Sequence, residues 1–131
     1  MTRAVIERMS PFFVVRDAPR TIAFYCQRLG FETWHSEAGV DGAAPHFAIL
    51  GRDGAMLFVK AGDAAPSPNP SRDPEMRWDA YLCAPDPDAL AAEFAGRGAT
   101  FSAALADTHD GLRGFEITDP DGYVLFFGRP R

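Results

Sequence analysis

Two stretches decide how this chain is read: Phe47–Phe58, FAILGRDGAMLF, and Phe115–Phe126, FEITDPDGYVLF. Asp53-Gly54 in the first returns as Asp121-Gly122 in the second, 68 residues later. At that offset Phe47 and Ile49 fall on Phe115 and Ile117, and Leu57 and Phe58 fall on Leu125 and Phe126. Each stretch pairs two aromatic and aliphatic runs around an Asp-Gly turn, the signal of a β-hairpin. Further out, Gly30 meets Gly98 and Ile22 meets Leu90, while Asp17 meets Asp86 at 69, one residue having been inserted between first strand and helix. An ordered series of this kind marks an internal duplication.

The two halves then read alike. Pro11–Val15 is a β-rich run ended by Arg16-Asp17, a strand followed by a helix cap. Pro19 suits a first helical turn, and Ile22, Tyr25, Cys26 and Leu29 form one apolar stripe ending at Gly30. Phe31–Trp34, Pro45–Leu50 and Ala55–Lys60 follow as strands. The second half offers Arg77–Ala84 as a strand and a helix from Asp86-Pro87-Asp88 to Gly98. Thr100–Ala104, Gly114–Thr118 and Tyr123–Gly128 complete it as strands. Between the halves, Pro66, Pro68, Pro70 and Pro74 make a segment unfit for helix or central strand.

The expected fold class is α+β, with residues 1–131 as one domain of two tandem βαβββ modules. They cover 10–61 and 76–128, joined by a Pro-rich linker over 62–75. A sheet with a helix on one face must have its other face covered. The two modules are therefore expected to form a curved, cup-shaped mixed sheet with helices on the outer face.

Composition excludes several alternatives. An apolar share of 47% and a charged share of 24% are ordinary for a globular chain and argue against disorder. A net charge of -5 with scattered Lys and Arg disfavours nucleic acid and anionic membrane as partners. No run is long and apolar enough to cross a bilayer, and Met1–Met9 lacks a secretory apolar core, so a cytoplasmic location is expected. Cys26 and Cys83 read as buried, free thiols, having no neighbouring His or Cys at metal-ligand spacing.

Strand alternation gathers the candidate binding residues. Phe13 and Val15 face the first helix, leaving Ser10, Phe12, Met56 and Phe58 for the cup, to which the second half adds Tyr81, Cys83, Val124 and Phe126. Aromatic walls with a few polar groups suit a small-molecule pocket, although the same rings equally serve as plain core filling. Asp79, an acid among apolar neighbours, must be hydrated, paired or protonated, with a cationic ligand group, Arg16 or Lys60 as candidate partners. Glu116 lies on the opposite face from Phe115 and Ile117, but alternation does not say which face is the cup.

Phe24-Tyr25 before Leu29-Gly30-Phe31, with the late Asp119-Pro120-Asp121-Gly122 in a two-module frame, resembles the vicinal-oxygen-chelate superfamily. This superfamily joins glyoxalase, bleomycin-resistance and dioxygenase proteins. Phe47–Phe58, Asp88–Phe94 and Gly114–Pro120 resemble most its metal-free bleomycin-resistance-type branch.

The resemblance implies four places where metal-dependent members hold ligands, which here are Ser10, Phe58, Asp79 and Phe126. Two phenylalanines, a hydroxyl and one carboxylate fall short of the three donors a catalytic site needs. His46, His109, His35 and Glu116 are the other donors, and the histidines read as rim or surface side chains. No metal, cofactor or catalytic residue is therefore expected.

The expected ligand-binding set is Ser10, Phe12, Met56, Phe58, Asp79, Tyr81, Phe126 and His46. The implied function is metal-independent binding of an aromatic or cationic drug-like molecule, with antibiotic resistance as the role. The implied partner is a second copy, in a homodimer that exchanges the arm Met1–Met9. A metal-dependent lyase, isomerase or dioxygenase with atypical ligands is the alternative, and a structural relative that lost its site is a third reading.

Overall fold

The computed structural model describes residues 2–39, 42 and 44–131. The first module runs β1 (Phe12–Val15), α1 (Ala18–Leu29), β2 (Glu32–Ala38), β3 (Pro45–Arg52) and β4 (Ala55–Ala61). The second runs β5 (Ala80–Cys83), α2 (Pro87–Gly96), β6 (Ala103–Asp107), β7 (Leu112–Thr118) and β8 (Val124–Pro130). This is the expected α+β class, βαβββ twice. The sheets have matching orders, β1-β4-β3-β2 and β5-β8-β7-β6, each opening with a parallel pair.

Both helices start as the sequence implies. Asp17 caps α1 by accepting from the Arg20 N–H at 3.1 Å, and Asp86 caps α2 by accepting from Ala89 N–H at 3.0 Å. Some strand limits differ from expectation. β2 extends to Ala38, β6 begins at Ala103 instead of Thr100, and β5 begins at Ala80, so Arg77, Trp78 and Asp79 precede it. No helix among the described residues is long and apolar enough to cross a membrane. Cys26 and Cys83 are free thiols as expected, but neither is buried: Cys26 is half-buried and Cys83 exposed.

The ladders correct the repeat by one residue. Leu57 pairs with Leu50, whereas Leu125, its counterpart 68 residues on, pairs with Ile117. The turn of the second hairpin is one residue longer, so β7 matches β3 at an offset of 67. Gly114 thus stands where Phe47 does, and Glu116 where Ile49 does. A slip of one reverses every facing assignment along a strand.

Each helix covers only part of its sheet, and the remainder is covered by the other module. Phe13, Leu57 and Val59 of the first sheet share one core with Phe115, Leu125 and Phe127 of the second. Phe13 stacks on Tyr123 at 4.0 Å between ring centroids, and the buried Tyr25 Oη donates to Asp119 at 2.9 Å. The modules therefore join through their helix-bearing sides, where the apolar area is. The opposite face of each sheet looks away from this core.

Candidate functional site

In the first module the outward face carries Phe12, Phe47 and Phe58, with Trp34 seated over Gly51, the cross-strand partner of Met56. Phe12 meets Phe58 edge-on at 6.2 Å, and Phe58 meets Phe47 at 6.1 Å and 61°. Phe12 is 53% exposed. Met56 lies on the same face, its sulfur accepting from Arg8 Nη1 at 3.6 Å, while the Arg8 guanidinium stands 6.0 Å over Trp34. Of the expected residues, Phe12, Met56 and Phe58 thus come together. Ser10 precedes β1, and its buried Oγ has no hydrogen-bond partner among the described residues. His46 does not join them. It occurs where β3 shifts register against β2, three positions along from Ile49, the residue paired with Phe58.

The outward face of the second module is built differently. Phe126 and Trp78 stack at 4.1 Å and 22°, and Tyr81 lies nearly parallel to Phe126 at 5.6 Å and 19°. Phe126 is seated on bare backbone. A Cβ placed on Gly114 or Gly128, which pair across β7 and β8, would come within 2.6 Å of its ring. Only glycine admits so close an approach. With glycines beneath and Trp78 above, Phe126 is only 4% exposed, so the rings a ligand can reach are Trp78 and Tyr81.

Beside this stack lies an ion pair. Arg77 donates to the Glu116 carboxylate through Nε at 3.1 Å and Nη2 at 2.5 Å, and Glu116 is 2% exposed. The carboxylate is affordable there only because the fork pairs it. Asp79 takes no part in this cluster of charges. It accepts from the Asn69 N–H at 2.6 Å and the Val124 N–H at 2.8 Å, tying the linker to β8, with neither Arg16 nor Lys60 as partner.

Sequence reasoning missed Trp78, Arg77 and the glycine seat. The length of the turn Asp119–Tyr123 was the available signal, since counting pairs back from it sets Glu116 opposite Phe126.

The four metal-ligand positions do not fit a metal. Phe58 and Phe126 have no donor atom, Asp79 has both oxygens committed, and Ser10 offers a neutral hydroxyl. His109 pairs with Glu75 at 3.0 Å and His35 with Glu37 at 3.4 Å, both on exposed surface.

Strongly shifted acids lie between the modules instead. Burial pushes Asp119 up to about 6, against the pull of its Tyr25, Asp121 and Tyr123 donors. The Arg52 guanidinium, bound at 2.7 Å on both oxygens, holds Glu93 down at about 2. A hollow of about 900 Å³ also lies there, its lining including Phe13, Leu57, Leu82, Leu90 and Phe127.

This is a protein of two βαβββ modules whose outward sheet faces carry aromatic rings where a chelating cage would need donors. The chain belongs to the Glyoxalase/Bleomycin resistance protein/Dioxygenase superfamily, which matches residues 8–127. A bleomycin-binding protein solved with bleomycin is 25% identical, at a TM-score of 0.71 over 96% of this chain and 100% of that one. TioX from Micromonospora sp. ML1 shares the fold at 18% identity and TM-score 0.73, over 95% and 99% of the two chains. TnmS3, an antibiotic binding protein from Streptomyces sp. CB03234, shares it at 22% identity and TM-score 0.63, over 98% and 100%. These likenesses agree with the bleomycin-resistance-type branch indicated by the sequence. No curated protein matches the chain.

Proposed function

We propose that the protein binds an aromatic small molecule without metal and sequesters it, chemistry being absent from its role. The observation that carries this reading is the Trp78–Phe126–Tyr81 stack on its Gly114/Gly128 seat. Large rings prearranged face to face lose little freedom when a planar ligand adds to them. The bleomycin-binding relative gives the first ligand to try.

Within one chain the two aromatic faces look away from each other, so each is half of a pocket. We infer a homodimer in which the Phe12–Phe58 face of one copy meets the Trp78–Tyr81 face of the other. The arm preceding β1 is consistent with exchange between copies. Val5 is 85% exposed, Ile6 90% and Met9 94%, apolar side chains that a second copy would cover.

Calorimetric titration with bleomycin in the presence of EDTA tests binding. Heat with a micromolar or tighter Kd is expected, and its loss in Trp78→Ala. No heat with bleomycin and with a panel of planar aromatics defeats the reading. So does a stoichiometric metal in the purified protein whose removal abolishes binding. Sedimentation equilibrium of the full chain against a chain lacking residues 2–9 tests the dimer.

A further inference from the structure

We propose that Arg77 is the polar recognition group of the second module's open face, selecting planar ligands that carry an acceptor oxygen over cationic ones. The acceptor is a carboxylate or a conjugated carbonyl. This rests on the reading that ligands stack on that face.

The geometry brings the guanidinium to the edge of the stack. Glu116 and Phe126 are direct partners across β7 and β8, so their side chains stand side by side on one face. Arg77 closes over Glu116, and its side chain is 26% exposed against 3% for the carboxylate beneath. It uses Nε and Nη2 for that contact, and Nη1 makes no hydrogen bond among the described residues. A guanidinium carries five N–H donors in a rigid fork, so the unused ones point away from Glu116 in a fixed direction. Holding the fork already ordered lowers the entropy lost when a ligand oxygen docks on it. The bidentate pair thus acts as a mount for the outward donors as well as a neutraliser of Glu116.

The two acids that flank the stack, Glu116 and Asp79, have their oxygens committed. Glu116 is buried under Arg77, and both oxygens of Asp79 accept backbone N–H groups. A ligand ammonium docked on the stack would therefore meet the donor side of Arg77, with the carboxylates of Glu116 and Asp79 already occupied. A ligand oxygen would meet N–H groups.

The test uses three probes with one ring system: 2-naphthoate, 2-naphthamide and 2-naphthylmethylammonium, titrated calorimetrically into the full chain. Naphthoate is expected to bind about tenfold tighter than the ammonium, the value of one charge-assisted hydrogen bond, with the amide between. In the double variant Arg77→Gln/Glu116→Gln this preference is expected to vanish while the ring affinity stays. Should that variant fail to give a cooperative melt, Arg77→Lys carries the test. It keeps the charge over Glu116 but loses the fork, and the preference is expected to fall at least threefold. Equal affinities in the wild type, or a preference that survives in the folded variant, overturn the proposal and leave stacking intact. Silence from all three probes removes the stacking reading itself, and this proposal with it.

Discussion

The two modules share a backbone plan and use it to opposite ends. Where the first has Phe47, Ile49 and Lys60, the second has Gly114, Glu116 and Gly128. Bulk at Phe47 holds the rings of the first face edge-on and leaves Phe12 half in solvent. Bare backbone in the second lets Phe126 lie flat, and Trp78 and Tyr81 stack parallel to it. The first face is an apolar wall of edge-on rings and the second a stacked platform with a directional donor. What a side chain does on a duplicated sheet is thus set by what its cross-strand partner leaves room for.

The sharpest way to break this contrast is to fill the seat. A Cβ on Gly114 would lie 2.3 Å from the Phe127 carbonyl oxygen as well as against Phe126. Gly114→Val is expected to cost about 3 kcal/mol in urea unfolding, since backbone must shift along with the ring. Phe47→Val, the matching change in the first module, is expected to cost about half as much, because it opens a half-exposed face.

The hairpin turns give a second contrast, with opposite signs against pH. Asp119 has its pKa raised to about 6 from an ordinary 3.8, so its contribution to stability is complete below about pH 3.8 and is lost as pH rises through 6. Measured against Asp119→Asn, the wild type is expected to lose about 2 kcal/mol between pH 4 and pH 7. Beside the first turn, Glu93 of α2, gripped by Arg52 at the end of β3, is lowered to about 2 from 4.5 by Arg52 and Arg97. Its contribution is present above about pH 4.5 and is lost as pH falls through 2. Thermal melts of Glu93→Gln should therefore differ from wild type at neutral pH and converge with it in strong acid. Stability differences that run in the same direction for both variants would contradict this assignment.

The smallest expected effect comes from making the second face resemble the first. Arg77→Met with Glu116→Ile replaces the ion pair by apolar side chains of similar size, the residue Ile49 already supplies in the first module. Stability is expected to stay within about 1 kcal/mol, because desolvating two charges offsets most of their attraction. A loss of several kcal/mol in chemical denaturation would mean that the pair holds the fold together as well as orienting Arg77.

Much of the fold was legible in the chain. Asp17 and Asp86 announced both helices, the Asp-Gly turns announced both hairpins, and alternation placed Phe12, Met56 and Phe58 on one face and Phe13 and Val15 on the other. The site was legible only in part. Tyr81 and Phe126 do share one face as alternation implied, but Phe126 is the buried layer of their stack and Trp78, absent from the expected set, its outer one. Asp79 was expected to need a partner, but no local pattern reveals that its partners are the backbone N–H groups of Asn69 and Val124, ten and forty-five residues away, instead of Arg16 or Lys60.

The sequence by itself determined the duplicated βαβββ order and the apolar side of each element, because periodicity and turn chemistry act over a few neighbouring residues. Only the tertiary structure decided the register of β7 against β8 and the side through which the modules meet. Both depend on pairings between distant segments, where one residue more in a turn reverses a strand's faces and the apolar area left bare by a short helix selects its cover.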